Sequence, residues 1–400
     1  MGRDGGFPDE KRGIAMSIFL TEDMELLQES AREFAQQYVA PAVAGMEADN
    51  EFPRELYLKA GELGFLGLIV PEKIGGAGLG LTAVGVVTEE IAKVSPAFAI
   101  SYYVDSCMSS YLMESPNRVD LLKKYLPGVM TGWTIMGAGI TPPQGSTNLS
   151  EWPVMAKKDG DEWVLNGSKL YVTNTSKADL VAFLGMTEER EMRCFFVETK
   201  DPGVDDKHVE KKIGLNGNCS GSYFLTDVRV PDAYSFPKNP LDGMGPGNAL
   251  CAAVALGCAE AALGKTMEFV KQRTHDSAPI GECQVVRHRI ARMWGEIEKC
   301  RALIFEALAT ADKVIATGDK ALGAKAKALI STAKYSTCEM AVDVTKQCIW
   351  LHGGLGIVEE TGLARYLRDA ETLCIADGTP DLHVESVSAI LGMPGASIII

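Results

Sequence analysis

From Thr21 to about Lys124 apolar residues recur at helical spacing, in MELLQESAREFAQQYV, LYLKAGELGFLGLIV and LTAVGVVTEEIAKV. That period predicts a helical block. The stretch PEKIGGAGLG, Pro71 to Gly80, breaks it once, because its glycines allow positive φ and a tight turn. Between about Ile135 and Asp242 the pattern shortens to β-rich runs with turns between them: TIMGAGI, WPVMAKK, EWVLNGSKLYVT, LVAFLGM, RCFFVET and GSYFLTDVRV. A Pro/Gly-rich linker, FPKNPLDGMGPG, follows. From Asn248 onward Ala-rich helical patterns return, as in AAVALGCAEAALGKTMEFVKQ. Helices, then strands, then helices is a segregated order that predicts an α+β fold. The expected boundaries are a leader or disordered extension at 1–15, a helical domain at 16–134, a β domain at 135–245 and a second helical domain at 246–400. No G-x-G-x-x-G follows a strand, which argues against a Rossmann domain.

Composition narrows the class of ligand. The 400 residues carry a formal net charge of −14 with no Lys/Arg stripe, which argues against nucleic acid and against an anionic membrane surface. No apolar run approaches the roughly 20 residues that span a bilayer, and the N-terminus lacks a signal-peptide pattern, so a cytoplasmic location is expected. Ten cysteines are scattered with no Cys-x-x-Cys pair, which predicts neither a metal site nor a disulfide framework. The ligand is then expected to be small, with any phosphate held by local groups.

Three segments carry a resemblance. VPEKIGGAGLG with EEIAK (Glu89 to Lys93) is similar to P-E-x-x-G-G-x-G and E-E-x-A elements. GDEWVLNGSKLYVTN leads to FLTDVRVP. LHGGLGIVEETGLARYLRDAETLCIADGT matches a G-G-x-G, R-x-x-R-D, E-G-T block in spacing throughout. In order and interval the chain resembles the acyl-CoA dehydrogenase family. The resemblance implies an N-terminal helical domain, a middle β-barrel and a C-terminal four-helix domain, assembled as a homotetramer, with FAD between the β domain and the C-terminal helices and a neighbouring subunit contributing to it. It places Thr173 at flavin N5 with Tyr171 and Val172 along the ring, and puts Ala138, Gly139, Ile140 and Thr141, then Thr147, against flavin and thioester. Donors aimed at the flavin edge stabilise the charge that arrives with hydride.

The same resemblance assigns Arg273 and Gln284 to the FAD of a neighbouring subunit, although Asp276, Ser277 and Cys283 replace the usual Phe, Gly and Phe between them. Trp350 stands where many members have Gln before Gly353 and Gly354, and Thr379 and Asp381 complete the cofactor set. Asn248 and Cys251 stand where relatives often carry Asp and Arg; with Val104, Met108, Thr147 and Gly378 they form the expected substrate set.

The chemistry needs a base for the proton beside the thioester carbonyl while the β-carbon gives up hydride. Two donors must polarise that carbonyl, in relatives the base residue's own main-chain N–H and a flavin ribityl hydroxyl. Counting eight residues from Asp369 lands on Asp377, where the family has Glu. One methylene fewer draws the carboxylate back by roughly 1.5 Å. Leu250 occupies the position to which some branched-chain relatives move the base, which excludes that relocation.

Asp105 is a second candidate. It lies in the apolar helix AISYYVDSCMSSYL, and ungapped counting from Thr141 places it in the acyl pocket, where a carboxylate would be desolvated and its pKa raised. Two short carboxylates suit a compact, alicyclic thioester, and the resemblance to family members that act on ring thioesters implies cyclohex-1-ene-1-carboxyl-CoA by 1,4-elimination through Asp105 as the reading taken, with cyclohexanecarboxyl-CoA by 1,2-dehydrogenation through Asp377 as its alternative. A short- or branched-chain enzyme with Asp377 as α-base is the plainer alternative, and a non-catalytic flavoprotein of the same fold is the alternative from another class. The resemblance suggests an electron-transferring flavoprotein as acceptor. His275, His288 and His383 are given no catalytic role.

Overall fold

The computed structural model describes residues 21–115, 118–145, 154–238 and 245–396. Among the described residues, the N-terminal part holds six α-helices: α1 (Glu22–Phe34), α2 (Ala40–Asp49), α3 (Glu55–Glu62), α4 (Gly80–Val94), α5 (Pro96–Glu114) and α6 (Arg118–Met130). A single π-helical turn, Ala35–Val39, joins α1 to α2. The helical run is interrupted after α2, between α3 and α4, at Ser95 between α4 and α5, and between α5 and α6, where the hydrophobic period predicts a break at Pro71–Gly80 alone. The first of the added breaks follows α2, where Asn50 takes φ 55° and closes the helix. Asn50 then donates through Nδ2 to the Glu210 carbonyl and accepts from Gly217 N–H, tying this block to the strands.

The expected break lies between α3 and α4. A Cβ at Gly76 would sit 2.0 Å from the Val70 carbonyl oxygen, so only glycine lets the loop fold back there. The start of α4 has no cap of its own. Asp312 supplies it, accepting from Leu81 and Thr82 N–H at 2.7 and 3.0 Å.

Among the described residues, eight strands form the middle: β1 (Met136–Gly139), β2 (Met155–Asp159), β3 (Glu162–Val172), β4 (Leu180–Thr187), β5 (Met192–Glu198), β6 (Val204–Val209), β7 (Gly221–Pro231) and β8 (Ser235–Pro237). They pair in the order β6-β7-β3-β2-β4-β5-β8, with β1 parallel to β4. The strand core buries Val154, Trp163, Leu165, Phe183, Phe195 and Tyr223 among others.

The C-terminal part packs α7 (Gly245–Gln272), α8 (Gln284–Thr317), α9 (Lys320–His352) and α10 (Leu363–Ile375), with α11 (Pro380–Ile390) against α9. A small hairpin, β9 (Thr274–His275) and β10 (Ala278–Pro279), joins α7 to α8. By length and composition α7 could cross a membrane, but 78% of its most apolar window is buried inside the protein. It is the core helix of the bundle.

Candidate active site

Helix α5 starts cleanly: Ser95 caps it by accepting from Phe98 N–H, and Pro96 fits the first turn. At about 100° per residue, Tyr103 and Cys107 share one face of α5, while Asp105 lies about 200° from Tyr103, on the opposite face. The Tyr103 hydroxyl donates to Asp377 Oδ2 at 2.5 Å. Cys107 faces the same way, its Sγ 3.9 Å from where a Cβ on Gly247 would stand.

Asp377 follows α10 at φ 55°, and Gly378 continues at φ 101°. Two side chains pin this left-handed turn. Lys334, fully buried on α9, donates Nζ to the carbonyls of Leu373 at 2.9 Å and Gly378 at 3.3 Å. His383 lies 3.0 Å through Nε2 from the Asp377 carbonyl. Burial, with the Lys334 charge beside it, lowers the His383 pKa to about 4, so the ring is neutral and its Nε2–H donates.

Burial pushes the Asp377 carboxyl above its ordinary range, while the Tyr103 hydrogen bond and the Lys334 charge draw it back. Its side chain opens partly to the cleft. Cys251 on α7 and Cys338 on α9 complete the surroundings; the Asp377 charge reaches both Cys107 and Cys251. Helices α5, α7 and α9 therefore meet the α10–α11 turn around one carboxylate.

Asp105 is elsewhere, and the expectation that it stands in the same pocket is corrected. Its Oδ1 accepts from Met136 N–H at 2.5 Å, and Asn174 Nδ2 donates to the Met136 carbonyl at 2.9 Å. Both ends of one β1 residue are thus clamped. Counting along the chain gave the right helix, but the helical phase turns this side chain toward β1 instead of Asp377. Asp105 is wholly buried with Oδ2 unpartnered, and Ser101 Oγ and Asn174 Oδ1 are buried and unpartnered too.

Burial raises the Asp105 pKa to about 8, so the group is a neutral acid at pH 7. The native chain keeps a proton that the unfolded chain sheds near pH 4. Stability from this group is complete below about pH 4 and is lost as pH rises through about 8, at about 1.4 kcal/mol per pH unit. Asp105→Asn keeps an acceptor for Met136 and removes the titration. Urea midpoints at pH 5.5 and 7.5 should therefore show the variant gaining on wild type as pH rises. A constant difference would contradict the assignment.

The expected cofactor residues fall into two groups. Leu170 N–H donates to the Thr141 carbonyl at 2.9 Å, and Lys169 Nζ donates to the Ile140 carbonyl at 2.8 Å. A Cβ on Gly137 would lie 2.9 Å from the Thr173 carbonyl oxygen. Ala138, Ile140, Thr141, Tyr171 and Thr173 are thus neighbours, whereas the Val172 side chain is buried in the strand core. Tyr171 holds φ 55° with its ring 61% exposed. An uncovered ring beside hydroxyls and main-chain polar groups fits a flat heteroaromatic ligand with polar edges, as FAD requires.

Arg273, Gln284, Trp350, Gly353 and Gly354 form the second group at the far end of the bundle, where Phe269 stacks on His352 at 4.0 Å and joins the ends of α7 and α9. All five are exposed, and nothing lies within 4 Å of a Cβ on Gly353 or Gly354. Asp276 and Ser277, which replace Phe and Gly, take φ 48° and 68° and make the β9–β10 turn. Helical rise puts His352 about 27 Å along α9 from Lys334. This group is therefore not part of the Asp377 cleft in the same chain.

Of the remaining expected residues, Val104, Met108, Asn248 and Cys251 are buried, Gly378 lies in the base turn, Thr379 and Asp381 open α11, and Thr147 lies outside the described residues. Sequence reasoning missed Tyr103 and Lys334. Lys334 had a signal, a lone Lys within an otherwise small and apolar stretch, ALISTAKYSTC. Among the described residues no group of three or more His, Cys, Asp or Glu could hold a metal ion.

Comparison with known proteins agrees with this architecture. Family models described as the N-terminal, middle and C-terminal domains of acyl-CoA dehydrogenase match residues 21–133, 137–228 and 241–392. Cyclohex-1-ene-1-carbonyl-CoA dehydrogenase of Syntrophus aciditrophicus is 31% identical over 90% of this chain and 87% of its own. Glutaryl-CoA dehydrogenase of Desulfococcus multivorans is 29% identical over 92% and 96%. The three-dimensional structure of butyryl-CoA dehydrogenase from Megasphaera elsdenii superposes with a TM-score of 0.84 at 26% identity, covering 94% of this chain and all of that one.

Proposed function

The chain belongs to the acyl-CoA dehydrogenase family, FAD-dependent oxidoreductases acting on CH–CH bonds, and we propose that it dehydrogenates a compact acyl-CoA, an alicyclic ring thioester foremost, with Asp377 as the base. The observation that carries this reading is the half-buried Asp377 carboxylate where α5, α7 and α9 meet the α10–α11 turn: Tyr103 donates to it, and Lys334 holds the turn beneath it through the Gly378 carbonyl.

In this mechanism Asp377 takes the proton from the carbon next to the thioester carbonyl. Its own main-chain N–H is a donor for that carbonyl, and the left-handed turn fixed by Lys334 and His383 presents both together. Thr141, Tyr171 and Thr173 would hold FAD, which when bound supplies the acceptor for the hydride from the neighbouring carbon. Buried Tyr103, Cys251 and Cys338 around Asp377 keep water from the developing carbanion.

A shortened base suits a substrate that packs close to the turn, and the name of the 31% identical relative supports an alicyclic acyl group. Oxidation of a saturated ring across the α and β carbons asks for Asp377 alone. The 1,4-elimination from a cyclohexene thioester also has that relative's printed activity in its favour, but it needs Asp105 to act from the opposite face of α5. We further propose a homotetramer, in which the exposed Trp350 end of one bundle meets a neighbouring subunit's cofactor, and an electron-transferring flavoprotein as acceptor.

Turnover of cyclohexanecarboxyl-CoA, cyclohex-1-ene-1-carboxyl-CoA and butyryl-CoA, with identification of each product, tests the reading. The expected result is fastest turnover of the saturated ring to the 1-ene. Butyryl-CoA turning over faster than both rings would return the protein to the short-chain type, and a diene from the cyclohexene thioester would reinstate Asp105.

A further inference from the structure

We infer that Tyr103 is a positioning and specificity-determining residue of this enzyme: its hydroxyl holds one oxygen of Asp377 so that the other meets the substrate, and its ring caps the acyl pocket. The inference rests on Asp377 being the base, and deepens that reading by naming what selects the acyl group.

The geometry is direct. The hydroxyl is 2.5 Å from Asp377 Oδ2, and Tyr103 is 2% exposed. A base has to come within hydrogen-bond reach of the proton it removes, so any group touching the same carboxylate borders the reacting carbons. The Tyr103 ring is therefore only one or two carbon positions from the site of proton removal. Substrate atoms running toward α5 meet the Tyr103 ring, with Cys107 one turn further along the same face. A long straight chain has no path past it, whereas a short chain or a compact ring can end there.

The hydroxyl also answers the short side chain. Asp377 has one side-chain torsion fewer than the Glu it replaces. A donor on Oδ2 fixes that carboxylate with its second oxygen available for the α-proton. Burial raises the Tyr103 pKa, aided by the Asp377 charge, so Tyr103 stays a neutral donor throughout the working pH range. It gives up no proton: the α-proton ends on Asp377, and the Tyr103 hydrogen bond is made before and after that transfer.

Two variants of the FAD-loaded enzyme separate the roles. Tyr103→Phe keeps the ring and removes a donor to the charged base. The acid limb of kcat against pH is expected to move up by about one pH unit, since losing a hydrogen bond to the charged form raises the base pKa. Its acyl-chain profile should match wild type. Tyr103→Ala opens the wall, and the ratio of kcat/KM for octanoyl-CoA over butyryl-CoA is expected to rise at least about tenfold, the scale on which one to two buried methylenes discriminate. An unmoved acid limb in Tyr103→Phe together with an unmoved ratio in Tyr103→Ala would overturn the inference. The parent reading fails in a different way, as wild-type activity that survives Asp377→Asn.

Discussion

Asp377→Asn is expected to lower turnover of the best acyl-CoA by about 10²- to 10⁴-fold, the span that a positioned acid or base contributes. The substitution removes the proton acceptor and little else. The Asn side chain still offers Tyr103 an oxygen, and the turn is held through main-chain carbonyls by Lys334 and His383, neither of which needs the carboxylate. FAD content should be unchanged, because the substitution alters none of the expected flavin contacts and the turn leading to Thr379 and Asp381 stays held through main-chain carbonyls. The wild-type enzyme should lose activity on the acid side, as the Asp377 carboxyl, raised above its ordinary range by burial, takes up its proton. A variant retaining more than about a tenth of wild-type turnover would place the base elsewhere.

Arg301→Ala is expected to cost roughly 3 kcal/mol of stability, toward the lower end of what removing one partner of a buried ion pair costs. Arg301 on α8 pairs with Glu89 on α4 and, at 2.8 Å, with Glu260 on α7. Glu89 and its neighbour Glu90 have side chains only 1% exposed. Burial raises the Glu89 pKa and Arg301 opposes that, so without Arg301 a carboxylate is left in the core with only Lys93, 3.6 Å away, for compensation. Because Glu89 escapes the penalty by protonating, the loss should shrink as pH falls toward 5. Glu89→Gln in the Arg301→Ala background should recover part of it. Urea midpoints of the single and double variants measure this, and a loss below about 1 kcal/mol would show the cluster to be no stronger than a surface pair.

That cluster also shows what a sequence motif leaves open. Glu89 and Glu90 were recognisable as part of a family element, yet nothing in EEIAK says that it braces α4 against α7 and α8, since Glu260 lies 167 residues beyond Lys93 and Arg301 lies 212 beyond Glu89. The order of helices, strands and helices was legible because each block keeps one hydrophobic period over many residues. Strand β6 was not, since Val204–Val209 reads VDDKHV, too polar for a strand pattern, at the end of the pairing order where one side needs no partner. Strand β8 is three residues long and has no period at all.

The candidate site divides in the same way. Asp377 was legible as a candidate because a fixed spacing from Asp369 carries it. Asp105 was assigned to the right helix and the wrong face, because spacing along the chain does not give rotational phase about a helix whose every side is buried. Tyr103, two residues earlier, is the side chain that meets Asp377, and a buried Tyr in an apolar helix gives no sign of a partner 274 residues away. His383, given no catalytic role, holds the main-chain carbonyl of Asp377, the residue proposed as base.

Anaerobic mixing of the FAD-loaded protein with cyclohexanecarboxyl-CoA, following flavin absorbance for wild type and Asp377→Asn side by side at pH 7, tests the central claim most directly. Rapid bleaching of wild type with bleaching at least about a hundredfold slower in the variant is the expected result. Equal rates in the two proteins would contradict it.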